Sequence, residues 1–287
     1  MPQQNLPNLE GNVLAESVEE LQRIANELRI DVLEMLYKAK SGHSAGSLGT
    51  AEIFACLYFS ILNINPKNPK DPKRDIFVLS NGHICPVLYA TLAKKGFFAK
   101  EELANFRKIN SLLQGHPSLE TPGIETCSGS LGQGLSIAAG RAFSNKMDNL
   151  SAHIYCMTSD GELNEGQTWE AAMFAPKYKL TNLTWIIDRN NIQISGPTEK
   201  IMPLENIREK LESFNWYVLE IDGNSVMEVL SAFKMTKRIL THPTAIIAHT
   251  IPGKGVDFME NKPDWHGKAP NEEEKTKAIR QIRKLLN

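Results

Sequence analysis

Residues Ser159 to Gly196 read SDGELNEGQTWEAAMFAPKYKLTNLTWIIDRNNIQISG, and this stretch restricts the fold more than any other part of the chain. Just before it, HIYCMTS (His153 to Ser159) is a short apolar run of strand type, interrupted by Gly161. EGQTWEAAMFAPKYK then has helical character and opens on acidic residues, and LTWIID (Leu183 to Asp188) is the next strand. Two strands joined through a helix make a right-handed crossover between parallel neighbours, which is α/β architecture. Asp160 falls just past the carboxyl end of the first strand. Asn190, thirty positions on, falls just past the end of the second. Open α/β sheets bind ligands at those ends, so the two side chains are expected to meet there.

An acid and an amide in that position suit a hard divalent cation. Mg²⁺ takes oxygen ligands, commonly only one or two from protein, and completes its shell with phosphate and water. Asp160 offers charge, Asn190 a neutral amide oxygen, and a backbone carbonyl such as that of Ile192 a third ligand. A plain βα loop, whose Asp and Glu are merely helix N-terminal charges, is the alternative.

As a whole, the block resembles the thiamine diphosphate (ThDP) signature, G-D-G followed after about thirty residues by N. Within it, Glu162 to Ala171 follow the transketolase version, E-x-x-E-G-x-x-W-E-A. Ser159 stands where the family usually has Gly. If that position needed positive φ or close approach to a diphosphate, Ser would cost about 1 kcal/mol or more.

The remaining chain fits one large α/β domain over residues 1–287, a doubly wound and mainly parallel sheet with helices on both faces. A long amphipathic helix is expected over Val13 to Lys40, with Leu21, Ala25, Leu28, Val32 and Met35 on one stripe. Further strands are expected at Asp75 to Leu79, Trp216 to Ile221 and Ala245 to His249. A net charge of −1 argues against a nucleic-acid groove, and the basic residues of KAIRQIRKLL are read as a solvated helix face. Cys56, Cys85, Cys127 and Cys156 form no C-x-x-C pair, so free thiols in a reducing compartment are expected. MPQQNLPNLEGN has no signal-peptide pattern and no run approaches a membrane span, which implies a cytoplasmic protein.

Four loops carry His and Gly beyond what packing requires: SGHSAGSLG (Ser41 to Gly49, opening a helix at Thr50), LSNGH (Leu79 to His83), GHPS leading into TPGIETCSGSLGQG (Gly115 to Gly134), and IPGKG leading into WHGKAP (Ile251 to Pro270). In this order they resemble the N-terminal half of transketolase over essentially the whole chain. The resemblance implies that His43, His83, His116 and His266 surround the thiazolium carbon and the diphosphate of ThDP. It places His43 and His116 at the donor's reacting hydroxyls, His83 near the cofactor and His266 between diphosphate and substrate, where imidazoles suit proton transfer near neutral pH. Gly129 and Leu131 would offer backbone contacts to the diphosphate and aminopyrimidine. Asp160, Gly161 and Asn190 would bind the diphosphate with Mg²⁺ (or Ca²⁺ or Mn²⁺), and Glu165 would be the interface acid linking two active sites. His43 lies in GHSAG where the family usually has GHPG, and His153, His242 and His249 match no such loop.

Full-length transketolases continue into a pyrimidine-binding domain whose Glu activates the cofactor. The resemblance therefore implies a split enzyme of the pentose phosphate network, completed by a C-terminal subunit in an α₂β₂ heterotetramer and acting on sugar phosphates. It leaves phosphosugar, apiose-type and sulfosugar substrates open. The alternatives are the α chain of a 2-oxo acid dehydrogenase, an enzyme of the deoxyxylulose phosphate synthase type, and a non-catalytic cofactor-binding subunit.

Overall fold

The structure, a computed structural model, describes residues 12–286. The N-terminal segment that bears on a signal peptide lies largely outside the described residues. Helix α1 (Asn12–Ala39) leads through α2 (Ser44–Gly49) and α3 (Ala51–Cys56), the last widening into a π turn over Leu57–Ile61. β1 (Ile76–Leu79), α4 (Cys85–Lys95), α5 (Gly134–Met147), β2 (Ile154–Ser159), α6 (Gly166–Lys177) and β3 (Leu183–Arg189) follow. A small hairpin, β4 (Ile192–Gln193) and β5 (Gly196–Pro197), precedes α7 (Thr198–Ile201) and α8 (Ile207–Ser213). The chain closes with β6 (Tyr217–Asp222), α9 (Val226–Thr236), β7 (Thr244–His249) and α10 (Glu272–Arg283).

Five strands form one sheet in the order β1-β2-β3-β7-β6, every neighbouring pair parallel. All five expected strands are present, with ends shifted by no more than about one residue. Side chains alternate across the sheet. Val78, Cys156, Trp185 and Ile247 enter one apolar layer with residues of α5, α6 and α8. Leu79, Met157, Ile186 and Ala248 enter the other with α1, α3, α4, α9 and α10. Both faces are covered, which explains strands that are apolar almost throughout.

The predicted stripe of α1 is buried at all five positions. α10 lays Ala278, Ile279 and Ile282 into the core and leaves Arg280 and Arg283 exposed, so its basic residues do form an outer face. One departure from the sequence reading concerns SGHSAGSLG, which is mostly helix: α2 begins directly after His43, and Thr50 separates it from α3. Its small residues serve packing. Ala45 accepts a hydrogen bond from the Gly253 N–H at 2.8 Å, and the Ser44 hydroxyl donates to the Lys268 carbonyl at 2.5 Å. The IPGKG and WHGKAP segments are thereby pinned against α2. Deeper in, Asn224 donates to Glu52 at 2.9 Å and accepts from the Ile251 N–H at 2.8 Å, while Arg29 pairs with the same Glu52.

Candidate active site

Because every strand is parallel, the segments after β1, β2, β3 and β7 leave from one rim of the sheet. Those segments are LSNGH, the SDG turn, the Asn190 turn and the IPGKG–WHGKAP arm. Glu162, fully buried, ties three rim elements together. It accepts from the Ser80 hydroxyl, from the Gly132 N–H at 2.8 Å and from the Ser159 N–H at 2.9 Å. Ser80 in turn accepts from the Gly134 N–H at 3.0 Å, where α5 starts. Burial pushes the Glu162 carboxyl upward, against the lowering effect of these donors. Ser159 sits at φ −82°, an ordinary backbone for any residue, and forms a reciprocal capping box with Glu162. The feared strain is absent. Serine supplies a cap that glycine lacks.

Asp160 and Asn190 do flank β2 and β3 at the same rim, but their side chains are engaged separately. Asp160 is fully buried, and its Oδ2 accepts from the Arg189 guanidinium at 2.9 Å, the Asn191 N–H at 2.9 Å and the Thr198 hydroxyl at 3.3 Å. Its Oδ1 has no partner. Asn190 donates to Asp188 at 2.8 Å and accepts from the Ile192 N–H at 3.0 Å. Asp188 also accepts from the Thr250 hydroxyl, and burial, aided by Asp160, pushes its carboxyl up to about 7. Among the described residues no group of three or more His, Cys, Asp or Glu is arranged to hold a metal. A cation here would rest on one carboxylate oxygen, an amide and backbone, and the bare buried Oδ1 of Asp160 fits that donor set.

Three of the four expected histidines meet. Ring centroids lie 5.0 Å apart for His43 and His83, 5.2 Å for His83 and His266, and 5.7 Å for His43 and His266. His116 stands near this trio, next to Gly129: a Cβ added at Gly129, whose φ is +154°, would lie 3.3 Å from the His116 ring. The positive φ favours glycine there, and the approach to the ring is tight. α4 holds the GHPS loop, with the Tyr89 hydroxyl bonded to the carbonyls of Gln114 (3.0 Å) and His116 (3.1 Å). Burial, then the nearby His266, Arg107 and His116, hold the His43 imidazole down to about 4. Burial and the same cluster hold His83 at about 3. His116 and His266 are also lowered, by burial first. Burial thus favours the neutral imidazole at all four, and His43 Nδ1 has no hydrogen-bond partner.

The other positions fall as follows. Gly161 lies against the Gln193 side chain, and Leu131 is partly exposed on the turn before α5. Glu165 is exposed at the start of α6, touching the Gly132 backbone turn. Gly129, Gln133 and Ile137 line an open hollow of about 230 Å³ between Cys127 and Ile137. His249 pairs with Glu220 at 2.8 Å and His242 contacts Thr241, both on the outer surface. His153 bonds Thr184 at 2.8 Å and stacks on Tyr155, at the opposite end of β2 from Asp160. The sequence reading missed Glu162, Asp188, Arg189 and Arg107. Only Glu162 carried a local signal, the S-x-x-E capping spacing.

The depressed histidines have a consequence for stability. His83 and His153 are both held to about 3, whereas unfolded imidazoles titrate near 6.5. Between those values the unfolded chain binds more protons, so stability is complete above about pH 6.5 and is lost as pH falls toward about 3. Two groups give at most about 3 kcal/mol per pH unit, less where solvent reaches the rings. Urea midpoints at pH 7 and pH 5 should show this, with a shallower pH dependence in His83→Asn. An unaltered slope in that variant would contradict the assignment.

Comparison with known proteins places the geometry in context. The profile of the family described as "Transketolase, thiamine diphosphate binding domain" matches residues 20–285. One of the subunits of the apulose-4-phosphate transketolase of Phocaeicola vulgatus is 42% identical, over 92% of this chain and 94% of its own. A 6-deoxy-6-sulfo-D-fructose transketolase subunit of a Clostridium strain is also 42% identical, over 94% and 99%. Human transketolase is 42% identical, but this chain spans only 40% of its length. The crystal structure of Campylobacter jejuni transketolase superposes with a TM-score of 0.87 at 36% identity, covering 92% of this chain and 42% of that one. By the match across nearly its whole length, the chain belongs to the thiamine diphosphate-binding domain family of transketolases.

Proposed function

We propose that this chain is the N-terminal subunit of a ThDP-dependent transketolase, one that moves a two-carbon ketol unit from a ketose to an aldose and whose active site is completed by a separate pyrimidine-binding subunit. The observation that carries this reading is the shared rim. A bare buried carboxylate oxygen at Asp160 opens on the same edge of the sheet as the trio His43, His83 and His266. Support for a two-subunit enzyme comes from relatives named as subunits, matched over 94% and 99% of their lengths.

When bound, the cofactor supplies the thiazolium carbon that takes up the ketol unit. Asp160, Asn190 and the Ile192 carbonyl would hold a divalent cation, Mg²⁺ or its Ca²⁺ or Mn²⁺ equivalent, for the diphosphate, and Gly161 would leave room beside it. Gly129 and Leu131 would offer backbone contacts to the cofactor, and His83 and His266 would lie near it. His43 and His116, whose imidazoles burial biases toward the neutral form, would accept protons from substrate hydroxyls and return them, and His266 would serve between diphosphate and substrate. Glu165, exposed beside Gly132, meets a neighbouring subunit in an α₂β₂ heterotetramer. We assign residues 1–287 to one domain and the enzyme to the cytoplasm; among the described residues no helix is long and apolar enough to cross a membrane. The sugars belong to the pentose phosphate class or to the apulose and sulfosugar chemistry named for the two subunit relatives.

The test is reconstitution. This chain alone, with excess ThDP and Mg²⁺, should transfer no ketol unit from xylulose 5-phosphate, apulose 4-phosphate or 6-deoxy-6-sulfofructose. Titrating in a separately expressed pyrimidine-binding subunit should restore transfer from one of these donors to an aldose phosphate. Substantial turnover by this chain alone would overturn the two-subunit reading. No turnover with any donor in the assembled complex would overturn the transketolase assignment.

A further inference from the structure

The roles above leave one buried charge without a task. Arg189 ends β3 directly before Asn190 and is almost completely enclosed. Its Nη1 donates to Asp160 Oδ2 at 2.9 Å, and its Nη2 donates to Glu199 at 2.5 Å and Glu205 at 2.9 Å. Glu199 belongs to α7 and also accepts from the Leu204 N–H at 3.1 Å. A single guanidinium therefore spans from the SDG turn to the far side of the segment that carries the β4–β5 hairpin.

Asp160 is correspondingly lopsided. Three donors converge on Oδ2, while Oδ1 is closed to solvent and receives none. A buried carboxylate oxygen without a donor is costly, and such orphans call for a specific explanation. The three donors fix the carboxylate's rotation and leave its other oxygen free. Only Arg189 among them carries a full charge, and its planar fork meets several acceptors at once in a way that a lysine ammonium does not.

We infer that Arg189 is a positioning residue of the cation–diphosphate site: it holds Asp160 by Oδ2 so that Oδ1 stays available, and through Glu199 and Glu205 it ties α7 and the segment after it to the same carboxylate. This rests on the cofactor assignment made above. Enclosed by Asp160, Glu199 and Glu205, Arg189 acts through the side chains it orients. Groups that orient metal ligands typically govern affinity by about 10–100-fold.

The experiment measures Mg²⁺-dependent ThDP binding by calorimetry in the reconstituted two-subunit complex at fixed ThDP. In Arg189→Met the Mg²⁺ concentration for half-saturation should rise about tenfold or more. Arg189→Lys, which keeps the charge but not the fork, should give a smaller rise, a partial rescue. A role confined to fold stability would lower the melting temperature of the cofactor-free protein and leave the Mg²⁺ midpoint of the folded material unchanged, which would overturn the inference. If the Met variant does not fold, the Lys variant decides: a midpoint equal to that of the wild type overturns the proposal, and a raised one supports it. Wild-type complex that binds no ThDP in a Mg²⁺-dependent way would instead overturn the functional assignment and this inference with it.

Discussion

Asp160→Ala is expected to abolish Mg²⁺-dependent ThDP binding by the assembled complex, weakening it more than about 100-fold, since even groups that merely orient a metal ligand are worth about 10–100-fold. Asp188, the carboxylate near the end of β3, cannot substitute. Its two oxygens are taken by Thr250 and Asn190. The fold should survive, because Arg189 keeps Glu199 and Glu205 as counter-charges and the substitution removes a costly buried acid. Asn190→Ala should also weaken binding, by freeing Ile192 and leaving one oxygen of Asp188 unpaired. Calorimetry of the complex, with circular dichroism of each variant as the control, measures both effects. Wild-type affinity in both variants would sink the metal assignment.

His116→Ala should lower turnover by about 10²–10⁴-fold, the usual worth of a general acid–base group, while ThDP affinity changes far less. Of the candidate acid–base histidines it is the cleanest to remove. His43 and His266 each contact two other imidazoles, so deleting either disturbs a packed cluster. The His116 backbone is held by Tyr89, which the substitution leaves in place. His43→Ala should lose turnover to a similar extent, with some loss of cofactor affinity as His83 and His266 relax. Steady-state rates with a ketose donor, alongside ThDP titrations, separate the two. Full turnover in either variant, or loss confined to cofactor affinity, would refute its role in proton transfer.

The strands were legible because burial on both faces leaves nearly continuous apolar runs, and β2, α6 and β3 follow directly from the spacing around Gly161 and Leu183. The rim could be anticipated for the same reason: parallel strands leave few places for Asp160 and Asn190 to lie. Contacts between loops were not legible. Nothing local in DRN reveals that Arg189 turns back to Asp160, and SGHSAGSLG resembles a loop because glycines in a tightly packed short helix have the same composition as glycines in a turn. The meeting of His43, His83 and His266 depends on α2 docking against the arm after β7. Ser44 and Lys268, which bond across that contact, are 224 residues apart in sequence, and only resemblance could suggest that they meet.

A single carboxylate joining three loops has a consequence for how this half of the pocket can change. With Ser80, Gly132 and Ser159 all bonded to Glu162, the LSNGH, GSLGQG and SDG segments behave as one rigid casting, and a substitution that shifts one drags the other two. The GHPS and WHGKAP arms hang from different hooks, on α4 and α2. Room for local change in this chain therefore lies in those two arms rather than in the three segments joined at Glu162.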